Sequence, residues 1–135
     1  MTNSFKYELK IYYEDTDAGG VVYYANYLKF LERARSEAIY EMGFSNTELK
    51  KDFGVLIIVK SCTIDYKKPA IFEDKLSIIS TIKEITKTSF IIEQNINRDK
   101  ELIATADIHL VTVNSDGKPT KIPDILKNKL SEYVN

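Results

Sequence analysis

Cysteine and histidine occur once each in the 135 residues, as Cys62 and His109. A lone thiol has no partner within the chain, so the fold is built without an internal disulfide. An excess of charge of either sign is also missing. Lys and Arg number 19 against 20 Asp and Glu, which leaves a formal charge of −1 and no basic field to hold a nucleic acid or an anionic membrane. Any anionic ligand would have to be met locally. No apolar run approaches the ~20 residues that cross a bilayer, and the opening MTNSFKYELK lacks the apolar centre of a signal peptide. Repeats, linkers and low-complexity tracts are absent as well. These absences point to one domain over residues 1–135 in a reducing cytoplasm, with no nucleic-acid partner and no membrane insertion. The 44% hydrophobic content is enough to build one core.

What is present has clear periodicity. Phe5, Tyr7, Leu9, Ile11 and Tyr13 alternate with polar positions, which predicts a strand over 5–13 with one face buried. From about Tyr24 to Met42 neither proline nor glycine intervenes, and Tyr27, Leu31, Ala34, Ala38 and Met42 recur at steps of three or four. That spacing predicts a long helix with one apolar stripe, ended by Gly43. Ser45-Asn46-Thr47-Glu48 has the form of a capping box opening a short helix that ends near Gly54. Segments rich in Ile, Val, Thr and Phe at about 55–66, 74–84, 88–98 and 102–113 read as strands joined by short polar turns, which suits antiparallel pairing. Pro123 opens a terminal helix through Leu130. The pattern is α+β, a strongly curved antiparallel sheet wrapped on a single buried helix.

Between the first strand and the long helix lies YEDTDAGGVVYYANY, residues 13–27. Alternate carboxylates before glycine resemble the start of a calcium loop. The spacing fails, because the third ligand position falls on Gly19 and the twelfth on Asn26. Asp15 reads as a residue that shapes the turn. Asp17 is different because Gly19 and Gly20 follow it and let backbone approach a ligand, while the helix tip near Tyr24 offers unpaired N–H groups and partial positive charge. Donors aimed at one point, with a carboxylate beside them, can polarise a thioester carbonyl while Asp17 attacks it or activates water. Such chemistry calls for no metal and no cofactor. Val22, Asn26 and Tyr27 join the two glycines as candidate substrate-binding positions, with helix packing the better reading of Tyr27.

Residues 13–27, continued by LKFLERARSE at 28–37, closely resemble the signature of hotdog-fold acyl-CoA thioesterases of the 4-hydroxybenzoyl-CoA thioesterase and YbgC type. Looser similarity runs through IDYKKPA at 64–70, FED at 72–74 and DGKP at 116–119. The resemblance implies a hotdog fold, acyl-CoA hydrolysis, Asp17 as the catalytic carboxylate and the backbone amide at or beside Tyr24 as the group that polarises the carbonyl. It also implies a homodimer or homotetramer, with two sheets joined edge to edge and each site shared across the boundary. Tyr24 stands where many YbgC-type chains have histidine. If the main-chain N–H is the essential group, this exchange keeps the oxyanion hole and changes the pocket shape.

Other candidates rank lower. Glu32 could supply a helix carboxylate, although a solvated face explains it. Cys62 and His109 lie in strand patterns, where a nucleophile with its base is unusual. Lys60, Lys67, Lys68, Lys118 and Lys121 could meet the phosphates of coenzyme A or be ordinary surface lysines. A reading from a different class is a non-hydrolytic binder of acyl-CoA or acyl carrier protein beside an envelope or lipid system. A hotdog dehydratase would need a histidine that the opening motif lacks.

Overall fold

The computed structural model describes residues 3–134. Strand β1 spans Phe5–Lys10, followed by helices α1 (Asn26–Glu41) and α2 (Asn46–Phe53), strands β2 (Leu56–Tyr66), β3 (Lys75–Ile85), β4 (Ser89–Arg98) and β5 (Glu101–Val113), and helix α3 (Asp124–Ser131). The strands form one antiparallel sheet in the order β1-β3-β4-β5-β2, so β1 and β2 are its edges.

Alternation decides which sheet face is covered. Leu76, Ile78 and Ile82 of β3, Phe90, Ile92 and Ile96 of β4, and Ala104, Ala106 and Ile108 of β5 are all buried, and α1 supplies Tyr27, Phe30, Leu31, Ala34 and Ala38 to the same core. The helical stripe expected from the sequence is therefore the buried one. Two polar residues lie within this apolar layer, Gln94 and Ser80, both fully buried. The Gln94 amide donates to the Leu31 carbonyl and the Ser80 hydroxyl at 3.1 Å each, and its oxygen accepts from Arg35 at 3.0 Å. All three capacities are met, so the amide clasps α1 to the sheet without leaving a buried group unpaired.

The helix ends follow their capping chemistry. Gly43 has φ +94, Phe44 N–H donates to the Ile39 carbonyl and Gly43 N–H to the Tyr40 carbonyl, which is a Schellman stop. The Ser45 hydroxyl accepts Glu48 N–H at 3.1 Å and opens α2.

Two boundaries differ from the sequence expectation. The first strand ends at Lys10 instead of continuing to 13, although the alternation continues. Asp15 is the cause: its carboxylate accepts Tyr12 N–H at 2.9 Å and folds Tyr13–Asp15 into a single 3-10 turn. Tyr13 is consequently 75% exposed and stacks on Phe72 at 3.9 Å. The long helix starts at Asn26 rather than near Tyr24, because Tyr24 and Ala25 are held in a turn that feeds it. Among the described residues, no helix is long and apolar enough to cross a membrane.

Candidate active site

The segment between β1 and α1 is a tight hairpin pinned at several points. Asp17 N–H donates to the Val21 carbonyl at 2.8 Å, Gly20 N–H to the Asp17 carbonyl at 3.0 Å, and Thr16 bridges Val22. Gly20 sits at φ +82, a conformation that side chains resist and glycine accepts. The Asp17 carboxylate is exposed and accepts Gly19 N–H at 2.8 Å. A Cβ at position 19 would lie 3.2 Å from that oxygen, a tight contact that glycine avoids.

Asp15 and Asn26 hold the two ends of the hairpin together. The Asp15 carbonyl accepts Tyr23 N–H at 3.0 Å and the Asn26 side-chain amide at 2.9 Å. Asp15 thus shapes the turn, as its local chemistry suggests, and Asn26 braces the loop from the first turn of α1.

Behind the hairpin runs residues 68–74. Val22 N–H donates to the Ala70 carbonyl at 2.9 Å, and Ala70 N–H donates to the buried Tyr27 hydroxyl at 3.1 Å. Burial pushes the Tyr27 phenol above its ordinary pKa, so it stays protonated and keeps its role in packing. Arg98 clamps this segment by bonding the Asp74 carboxylate at 2.6 Å and the Pro69 carbonyl at 3.1 Å, and it also pairs with Glu101. Hydrogen bonds from Lys68 and then Arg98 hold the Glu101 carboxyl below the usual carboxylate range. A carboxyl whose pKa is lowered by folding stabilises the native state above its unfolded pKa of about 4.3, and that contribution is lost as the pH falls through the folded value. Glu101→Gln is therefore expected to lower the melting temperature at neutral pH, with a difference that shrinks below about pH 4. A difference that stays constant across that range in a thermal-melt series would disprove the assignment.

At the entry to α1 the Asn26, Tyr27 and Leu28 amides are already occupied by the Tyr23, Tyr24 and Ala25 carbonyls at 2.8, 3.3 and 3.2 Å. The N–H groups of Tyr24 and Ala25 meet no acceptor among the described residues. Tyr24 lines a cleft of about 260 Å³ together with Val22, Tyr27, Tyr66, Lys67 and Pro69. The structure thus gathers three of the sequence-derived positions, Val22, Tyr24 and Tyr27, in one cleft. Asp17, Gly19 and Gly20 form the adjoining turn, tied to the cleft through Val21 and Val22. Asn26 acts through its brace on Asp15 and is not part of the lining.

Tyr66 in this cleft had no assigned role in the sequence, although it lies in the quoted IDYKKPA stretch. Its hydroxyl donates to the Tyr24 carbonyl at 3.0 Å, and its ring meets those of Tyr24 and Tyr27 edge-on at 6.2 and 5.3 Å.

The lower-ranked candidates separate. Ser61 pairs with His109 and Cys62 with Ile108, so Cys62 and His109 project from opposite faces of the sheet and cannot act together. Burial also raises the Cys62 thiol above its ordinary pKa, which disfavours a thiolate. Glu32 accepts the Ser36 hydroxyl at 3.2 Å and lines a second, mainly apolar cavity between α1 and β2. Lys67 and Lys68 flank the Tyr24 cleft, paired with Asp65 and Glu101. Lys121 pairs with Asp124 at 3.1 Å, while Lys60 and Lys118 are exposed away from the cleft.

The chain as a whole, and not this geometry alone, has known relatives. Residues 12–130 fit the thioesterase-like superfamily. The chain belongs to that family. The acyl-CoA thioesterase YbgC of Haemophilus influenzae is 34% identical over 128 residues, covering 94% of each chain. The acyl-CoA thioester hydrolase YbgC of Escherichia coli O157:H7 is 38% identical over 124 residues, covering 90% of this chain and 92% of its own length. Among solved structures, the probable thioesterase of Bartonella henselae superposes with a TM-score of 0.85 at 32% identity, over 90% of this chain and all of that one. The five-stranded antiparallel sheet packed on the long helix α1 is the α+β hotdog fold implied by the resemblance at residues 13–37.

Proposed function

We propose that this chain is an acyl-CoA thioesterase in which Asp17 is the nucleophile or general base and the amide of Tyr24 polarises the thioester carbonyl. The observation that carries this mechanism is the pair of unpaired N–H groups at Tyr24 and Ala25, at the positive end of α1, with Tyr24 lining an aromatic cleft. An acyl carbonyl placed there gains hydrogen bonds that strengthen as its oxygen becomes an oxyanion. Water, activated by Asp17 or arriving after attack by Asp17, then supplies the hydroxyl of the free acid, and coenzyme A leaves as the thiol. The relatives named as acyl-CoA thioesterase and acyl-CoA thioester hydrolase, matched along nearly their whole length, support hydrolysis of an acyl-CoA.

The sheet edges support a two-fold assembly. β1 is six residues long and carries Lys6, Glu8 and Lys10, which discourage strand addition. β2 is eleven residues long, contains no proline and exposes Ile58, Val59 and Tyr66 by more than two fifths. An edge so long and apolar suits pairing with the β2 of a second copy, which continues the sheet.

The direct test offers a panel of acyl-CoAs, short to long, aliphatic and aromatic, with the matching acyl carrier protein thioesters, and follows free thiol with a thiol reagent. The expected result is release of one thiol per acid from a subset of the panel. Saturable binding with no thiol released from any member would replace the enzyme with a carrier-binding protein.

A further inference from the structure

The peptide between Tyr24 and Ala25 carries both an unpaired N–H, that of Ala25, and a carbonyl that is doubly engaged. That carbonyl accepts Tyr27 N–H at 3.3 Å within the helix entry and the Tyr66 hydroxyl at 3.0 Å from the end of β2. The Tyr27 bond is long and weak, so the Tyr66 bond is the one that sets the orientation of the peptide plane. In a trans peptide the N–H points opposite to the C=O, and fixing one end therefore aims the other.

We infer that Tyr66 is a positioning residue for the reaction, and that the Ala25 N–H is a second oxyanion donor that it orients and strengthens. The inference rests on the thioesterase reading of the Tyr24 cleft. Its physical basis is polarisation along a hydrogen-bonded chain. A donor on a peptide carbonyl withdraws electron density from the amide and makes the N–H of the same peptide a better donor. The Tyr66 hydroxyl suits this task because a phenol keeps its proton at neutral pH, and partial desolvation pushes its pKa further up. Its ring is seated edge-on against Tyr24 and Tyr27, so the donor is held without relying on its own hydrogen bond. With Tyr24 N–H beside it, Ala25 N–H completes two adjacent donors at the helix entry, the number commonly aimed at a tetrahedral oxyanion. Tyr66 also ties the last residue of β2 to the turn that feeds α1.

The experiment uses the full chain, whichever acyl-CoA the wild type hydrolyses best, and the dethia analogue of that substrate, in which methylene replaces sulfur and a 13C label marks the carbonyl. Tyr66→Phe keeps the ring contacts and removes only the donor. The expected result is a fall in kcat of roughly tenfold with KM unchanged, together with a smaller red shift of the labelled carbonyl stretch in the bound analogue. Installing 3-fluorotyrosine at position 66 makes the hydroxyl a stronger donor, and at a pH where it stays protonated the red shift should exceed that of the wild type. This arm keeps the test decisive if Tyr66→Phe folds poorly. A purely structural tyrosine would alter the melting temperature and leave the carbonyl frequency of folded protein unmoved. Wild-type hydrolysis combined with equal stretch frequencies across phenylalanine, tyrosine and fluorotyrosine overturns the inference and leaves the thioesterase reading standing. A wild type that cleaves no thioester overturns both.

Discussion

Asp17→Asn is expected to yield a folded protein that still binds acyl-CoA and hydrolyses it about 10² to 10⁴ times more slowly. The substitution is nearly isosteric, and the asparagine oxygen can still accept Gly19 N–H, the bond that shapes the turn at 2.8 Å in the native chain. The turn is held in addition by backbone bonds that do not involve the side chain, from Asp17 N–H to Val21 and from Gly20 N–H to the Asp17 carbonyl. What disappears is the negative charge, and with it both the capacity to take a proton from water and the capacity to attack a carbonyl. Steady-state turnover, an unchanged melting temperature and an unchanged Kd for a dethia analogue together isolate that loss. Turnover within a few-fold of wild type would mean that another group does the chemistry. Single-turnover hydrolysis in heavy-oxygen water then separates the two roles, since label enters the protein carboxylate only if Asp17 forms an anhydride.

The second large effect is expected at the exposed edge. Val59 lies on β2, is 49% exposed in the single chain, and lines the apolar cavity between β2 and α1. In a two-fold assembly built on β2, Val59→Asp places a carboxylate in apolar surroundings twice per dimer. Burying an unpaired charge costs at least about 2 kcal/mol per copy, so the dimer constant should weaken by about 10³ or more. Sedimentation velocity on wild type and variant at the same micromolar concentrations reads this directly. Thioesterase activity should fall with the dimer fraction if each site is shared between subunits. A wild type that sediments as a monomer, or a variant that sediments as the wild type does, removes the assembly from the account.

Much of this architecture could be read before any coordinates. The α1 stripe from Tyr27 to Met42, the Gly43 stop and the Ser45 cap are local patterns. Each depends on residues three or four apart, which touch whatever the rest of the chain does. The four later strands were legible for the same reason, since period-two burial is written in consecutive residues. The limits of the first strand were less accessible. Alternation through Tyr13 favours extension, whereas the Asp15 carboxylate captures Tyr12 N–H and turns the chain three residues early. Two local preferences competed there, and the neighbouring segment settled the outcome by binding Ile11 between Glu73 and Asp74.

In the site, the residues at 17–27 stand out because one short stretch combines a carboxylate, two glycines and a helix start. Their supports were hidden. Arg98 clamps Asp74 from 24 positions away, Gln94 holds Leu31 from 63 and Tyr66 reaches Tyr24 from 42. Separations of that size carry no periodicity, so nothing in the local pattern distinguishes Tyr66 from the other eight tyrosines. The α+β class and the acidic loop are therefore properties of short-range order, fixed by how neighbouring residues pack and turn, while the family rests on the resemblance of residues 13–37. Which amides remain free, which carbonyl Tyr66 engages and which sheet edge stays open are consequences of long-range closure. These arise only when β2 returns beside β5 and brings its last residue to the tip of α1.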